Sequence, residues 1–126
     1  MLKDIENTVR LWREEAVEDM DLARDILARN KYRHAMFFAH LALEKALKAL
    51  VMRATEKLAP RIHNLVELAN KAGLSMDEES MKILAVMNFY QMAGRYLEAR
   101  RDRVDPQRAT ENFRRSERIF EWLIGL

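Results

Sequence analysis

Apolar side chains fall at every third or fourth position through the start of the chain, at Ile5, Val9, Trp12, Ala16, Met20, Ala23 and Leu27. That step follows the 3.6-residue turn of an α-helix and gathers these side chains on one buried face, so the pattern predicts a helix over about 2–28. Asn30 tolerates positive φ and makes a suitable stop. A second helix is predicted from Lys31 or Tyr32 to about Arg53, and so short a connection makes the two antiparallel neighbours. Pro60 disfavours helix just before it, so residues 55–61 read as a loop. A short helix over about 63–72 then ends at Gly73. Ser75-Met76-Asp77-Glu78 reads as a capping box opening a helix that reaches about Ala93 before Gly94. Residues 95–104 read equally as helix or ordered loop. Asp105-Pro106 supplies an N-cap and a first-turn proline for the last helix, where Ala109, Phe113, Ser116, Phe120 and Leu123 share a face. The expected fold is all-α: an antiparallel four-helix up-and-down bundle with one additional short helix, a single domain over residues 1–126.

The second helix differs from the others. It is apolar on most of its circumference, which places it at the centre of a bundle. It nevertheless carries a narrow polar stripe: Arg33, His40 and Glu44 fall within about 40° of one another at ~100° per residue, with Lys48 beside them. Polar groups on such a helix need partners or a task. More of this helix is apolar than one bundle core requires, so a second bundle packed against it, a homodimer, is the expected assembly.

Composition and charge narrow the reading. The 126 residues contain no cysteine, which removes disulfides and thiolate metal sites and fits a cytoplasmic protein. No apolar run approaches the ~20 residues of a membrane span. The formal net charge of +2 hides a polarity: residues 3–29 carry five basic and eight acidic side chains, residues 30–72 eight and three, and residues 95–118 eight arginines against five acids. Local positive regions attract phosphate, although charges on helix surfaces also serve as solvated i,i+4 pairs.

Candidate chemistry is sparse. His40 and Glu44 are four residues apart on one helix face, but a stable zinc site needs three or four protein ligands and a third is not evident, so no metal and no cofactor are expected. Three isolated glycines cannot build a phosphate cradle, and no Gly-x-Ser-x-Gly elbow is present. Glu44 and Lys48 have the favourable i,i+4 orientation of an ion pair that organises a helix seam. His63, at the start of the short helix, suits fixing a turn by hydrogen bonding.

Tyr32-x-x-Ala35, Ala42-x-Glu44-Lys45-Ala46-x-Lys48-Ala49-Leu50, Ile62-His63-Asn64-Leu65-Val66-Glu67-Leu68, Tyr90 and Arg95-Tyr96 occur in an order and spacing that resembles the HEPN domain family. These are small helical proteins found beside minimal nucleotidyltransferases in prokaryotes. The resemblance extends over nearly the whole chain. It implies a homodimeric nucleotide- or RNA-binding module, paired with a minimal nucleotidyltransferase in a toxin–antitoxin-like system. The implied binding cleft is lined by Arg95, Tyr96, Arg100 and Arg101, with Lys45 and Lys48. By analogy with adenylylated tyrosines in such pairs, Tyr96 is a candidate for modification.

Active ribonucleases of the family carry Arg followed four to six residues later by His, late in the chain, and act without metal. Here no histidine follows His63, and Leu97 stands where Arg-Tyr is usually followed by proline. The ordinary catalytic motif is therefore not found. An atypical endoribonuclease would have to use Arg33 with His40, six residues lying between them in one helix, or Arg95 with Tyr96; tyrosine, with a pKa near 10, is a poor base at neutral pH. A purely structural helical dimer is the remaining alternative.

Overall fold

The structure, a computed structural model, describes residues 2–93 and 105–126. It is helical throughout its ordered elements: α1 (Leu2–Ala28), α2 (Tyr32–Thr55), α3 (Leu65–Lys71), α4 (Glu78–Ala93) and α5 (Pro106–Ile124). Four long helices and one short one form the predicted bundle, and no strand occurs among the described residues.

Each boundary has a local cause. α1 stops where Asn30 takes φ 61°, and the turn lets the Lys31 N–H donate back to the Ile26 carbonyl. α2 runs two residues beyond its expected end because Glu56 adopts a left-handed conformation and its N–H caps the Met52 carbonyl. The short helix begins at Leu65 rather than His63. Asn64 is the cap, its Oδ1 accepting from the Val66 and Glu67 N–H groups at 2.9 and 3.2 Å. The expected capping box at Ser75 is likewise displaced by two residues. Asp77 accepts from the Ser80 N–H at 2.7 Å, and α4 starts after it. Asp105 and Pro106 open α5 as predicted.

α2 is the axis of the molecule and touches all four other helices. Met20 and Ala23 of α1, Leu43 and Leu47 of α2, Leu65 and Leu68 of α3, Leu84 and Met87 of α4, and Phe113 and Leu123 of α5 form one core around it. A smaller cluster, Ile5, Val9, Ala49 and Met52, closes the end where α1 begins and α2 finishes. In the sequence, the apolar circumference of α2 exceeds what one bundle core requires, which is the basis for expecting a homodimer. Within this chain α1, α3, α4 and α5 cover most of it, because the bundle wraps around α2 rather than setting it in a square. That leaves little of α2 for a second copy of the chain.

Candidate functional site

The polar stripe of α2 is carried into the bundle interior, where Glu44 becomes its hub. Lys48 Nζ donates to Glu44 Oε2 at 3.0 Å, with both side chains 7% exposed. Lys48 also lies 5.4 Å from the ring centre of Trp12 on α1, a cation–π contact that helps hold the ammonium in a largely apolar setting. From the loop before α3, His63 brings Nδ1 to 3.1 Å from both Glu44 oxygens. Facing carboxylate oxygens that accept hydrogen bonds, that nitrogen carries the hydrogen, which leaves Nε2 as the ring's other nitrogen on a side chain 55% exposed.

A second set of bonds fixes the neighbouring groups. Asn64 Oδ1 already accepts from two backbone N–H groups, so the Asn88 atom facing it at 3.1 Å is the amide nitrogen. Asn88 Oδ1 then accepts from the Leu65 N–H at 3.0 Å, and His40 Nε2, 3.2 Å away, must donate to the same oxygen. His40 Nδ1 is 3.8 Å from Glu44, beyond hydrogen-bond length. The imidazole is almost wholly buried, and burial pushes its pKa below the ordinary 6.5; the Asn88 hydrogen bond and the Glu44 charge only partly oppose this. His40 is held neutral, as a structural donor.

The residues singled out from sequence meet different fates. Glu44, Lys48, His40 and His63 are brought together. Arg33 is partly exposed and contacts His34 instead, with Nη2 3.2 Å from its Nε2. Lys45 faces α1, where Nζ sits 2.8 Å from Asp19 and 3.0 Å from Glu15. Burial opposes its charge, but those two carboxylates outweigh it and raise its pKa. Arg95, Tyr96, Arg100 and Arg101 lie outside the described residues. Sequence reasoning missed Asn88, Asn64 and Trp12. Asn64 had a signal, an Asn-x-x-Glu pattern at the head of an apolar run; Asn88 had a fainter one, a lone amide in Val86-Met87-Asn88-Phe89.

Chemically the cluster contains a carboxylate that orients a half-exposed histidine, balanced by a buried ammonium. Among the described residues no group of three His, Asp or Glu side chains is placed to hold a metal ion, and no helix is long and apolar enough to cross a membrane.

A family profile described as HEPN domain matches residues 9–126. The fold is similar to the crystal structure of TT1696 from Thermus thermophilus, with a TM-score of 0.77 and 24% identity over 93% of this chain and 96% of that one. It is also similar to ST0689, an archaeal HEPN homologue, with a TM-score of 0.69 and 22% identity over 93% of this chain and 95% of that one. No curated protein matches the sequence.

Proposed function

The chain belongs to the HEPN domain family, and from that premise we propose that it is a homodimeric nucleotide- or RNA-binding module that works beside a separate minimal nucleotidyltransferase, in a toxin–antitoxin-like pair. The phosphate-binding groups of this reading are Arg95, Arg100 and Arg101, with Tyr96 available to stack on a base. The observation that carries it is the commitment of the other candidate cations. Lys45 pairs with Asp19 and Glu15, and Lys48 with Glu44, which supports giving both ammoniums to the bundle in this reading. The arginine-rich run between α4 and α5 remains as the phosphate-binding candidate. If the partner modifies this chain, the Tyr96 hydroxyl would attack the α-phosphate of ATP, release pyrophosphate and retain the adenylyl group.

Fluorescence anisotropy with a 5′-labelled single-stranded RNA tests the binding reading. The wild-type protein is expected to bind, and Arg95→Ala to weaken binding by about tenfold, the scale of a lost charged hydrogen bond. No binding to RNA or to ATP, or an Arg95→Ala protein that binds as wild type, would contradict it.

One observation favours a second reading, a metal-independent endoribonuclease. A histidine bonded through Nδ1 to a carboxylate is oriented to use Nε2 as a general base, and His63 with Glu44 has that arrangement. In this reading His63 takes the place considered for His40, whose ring is 1% exposed and out of reach of substrate. Cleavage of end-labelled RNA in EDTA, lost in both His63→Ala and Glu44→Gln, would establish it; intact RNA would remove it.

A further inference from the structure

A groove between α4 and α5 lies apart from the Glu44 cluster. At one end Phe89 and Tyr90 of α4 face Arg108 and Asn112 of α5; at the other, Glu79 and Lys82 face Arg115. The two helices therefore run antiparallel along it, and Tyr90 Oη accepts from Asn112 Nδ2 at 3.0 Å in its floor. From Glu79 to Phe89 the groove spans about 15 Å at the helical rise.

Its middle is apolar and exposed. Val86 and Phe89 are each 39% exposed, although Leu84 and Met87 on the same helix are fully buried. α4 thus has an inward apolar face for the core and an outward one that no described residue covers. The charges around that outward face are mostly used within the chain, Lys82 lying 3.7 Å from Glu78 and Arg115 2.7 Å from Glu111. Glu79 and Arg108 form no ion pair among the described residues, and they stand at opposite ends of the groove.

We infer that this face seats a second copy of the chain across a two-fold axis passing near Val86. The charge pattern selects that occupant. With Lys82 paired to Glu78 and Arg115 to Glu111, the charges left without an ion pair among the described residues are Glu79 at one end and Arg108 at the other, an arrangement complementary to itself when rotated by 180°. The rotation brings Glu79 of one protomer to the partner subunit's Arg108, and does so twice per dimer. Val86 and Phe89 of both copies close the centre, giving an apolar core with a charged rim. The inference rests on the homodimer proposed above and adds the face that forms it.

Sedimentation equilibrium of the full chain tests it. The wild type is expected to be a dimer. Glu79→Arg and Arg108→Glu should each raise its dissociation constant by about tenfold or more, since each places two pairs of like charges in contact. The double variant E79R/R108E should return to within about threefold of wild type, because the swap restores both pairs with reversed sign. Circular dichroism melting confirms that each variant is folded. A monomeric wild type overturns the homodimer and this inference with it. A wild-type dimer indifferent to both single changes overturns the face alone and leaves the homodimer standing. Weakened single variants without recovery in the double overturn the two-fold pairing.

Discussion

Among the described residues, Glu44 and Lys48 form the cluster in which charge itself is buried in the centre of the fold, and its energetics are asymmetric. A buried pair is worth little over apolar replacements, but removing one partner strands the other in a low-dielectric setting at a cost of about 3–5 kcal/mol. Lys48→Met is therefore expected to lower the unfolding free energy by about 3 kcal/mol. The double change Glu44→Leu with Lys48→Met should recover more than half of that loss, as read from urea denaturation midpoints. A Lys48→Met midpoint equal to wild type would show that Glu44 is not held charged against Lys48. His40 gives a pH signature. Its folded pKa lies below 6.5, so between that value and 6.5 the unfolded chain binds a proton that the folded chain does not. Its contribution to stability is full above 6.5, declines as pH falls, and stops declining below the folded pKa. Thermal melts between about pH 5 and 7 should show melting temperature falling with acidification, and a flatter slope in His40→Gln. Opposite behaviour would mean that the folded state holds the His40 proton. The stripe Arg33, His40, Glu44 and Lys48 was legible in the helical spacing. Its partners were not, because Asn88 and Trp12 reach it only through packing of α4 and α1.

At the scale of elements, periodicity located α1 and α5, whose apolar positions share one inward face, whereas α3 and α4 were located by the Gly73 stop and the Ser75–Glu78 capping signal. The ends were less legible where several good caps compete. Ser75 and Asp77 are both suitable N-caps, and Asp77 prevails by bonding the Ser80 N–H. At α3 the cap has a double role, because Asn64 holds the helix start and also the Asn88 amide that receives His40. Asn64→Ala should therefore cost about 1–2 kcal/mol, the upper part of the usual range for a lost N-cap. Asn64→Asp, which keeps the acceptor, should be near neutral in the same denaturation measurement. Equal losses in the two variants would show that the cap is not what Asn64 contributes. The extension of α2 to Thr55 had no such signal, since it depends on a glutamate in a left-handed conformation at Glu56.

Taken whole, the molecule is a helical bundle whose central helix is largely covered by its own chain. The proposed self-association accordingly moves from α2, where the sequence pattern pointed, to the outward face of α4 and α5. The family and the fold were legible because the motifs occur in order along the chain; the proposed dimer face was not, because Glu79 and Arg108 acquire meaning only once antiparallel helices set them at opposite ends of one groove. The central claim is that a HEPN-family dimer binds nucleic acid through its late arginines rather than through the lysines of α2. Its most direct test is the salt dependence of single-stranded RNA affinity. Each phosphate neutralised contributes about −0.7 to the slope of log affinity against log salt. Arg95→Ala/Arg100→Ala/Arg101→Ala should make that slope shallower by about 2, while Lys45→Ala should leave it unchanged. A slope unaltered by the triple change, or reduced by Lys45→Ala, would contradict the account.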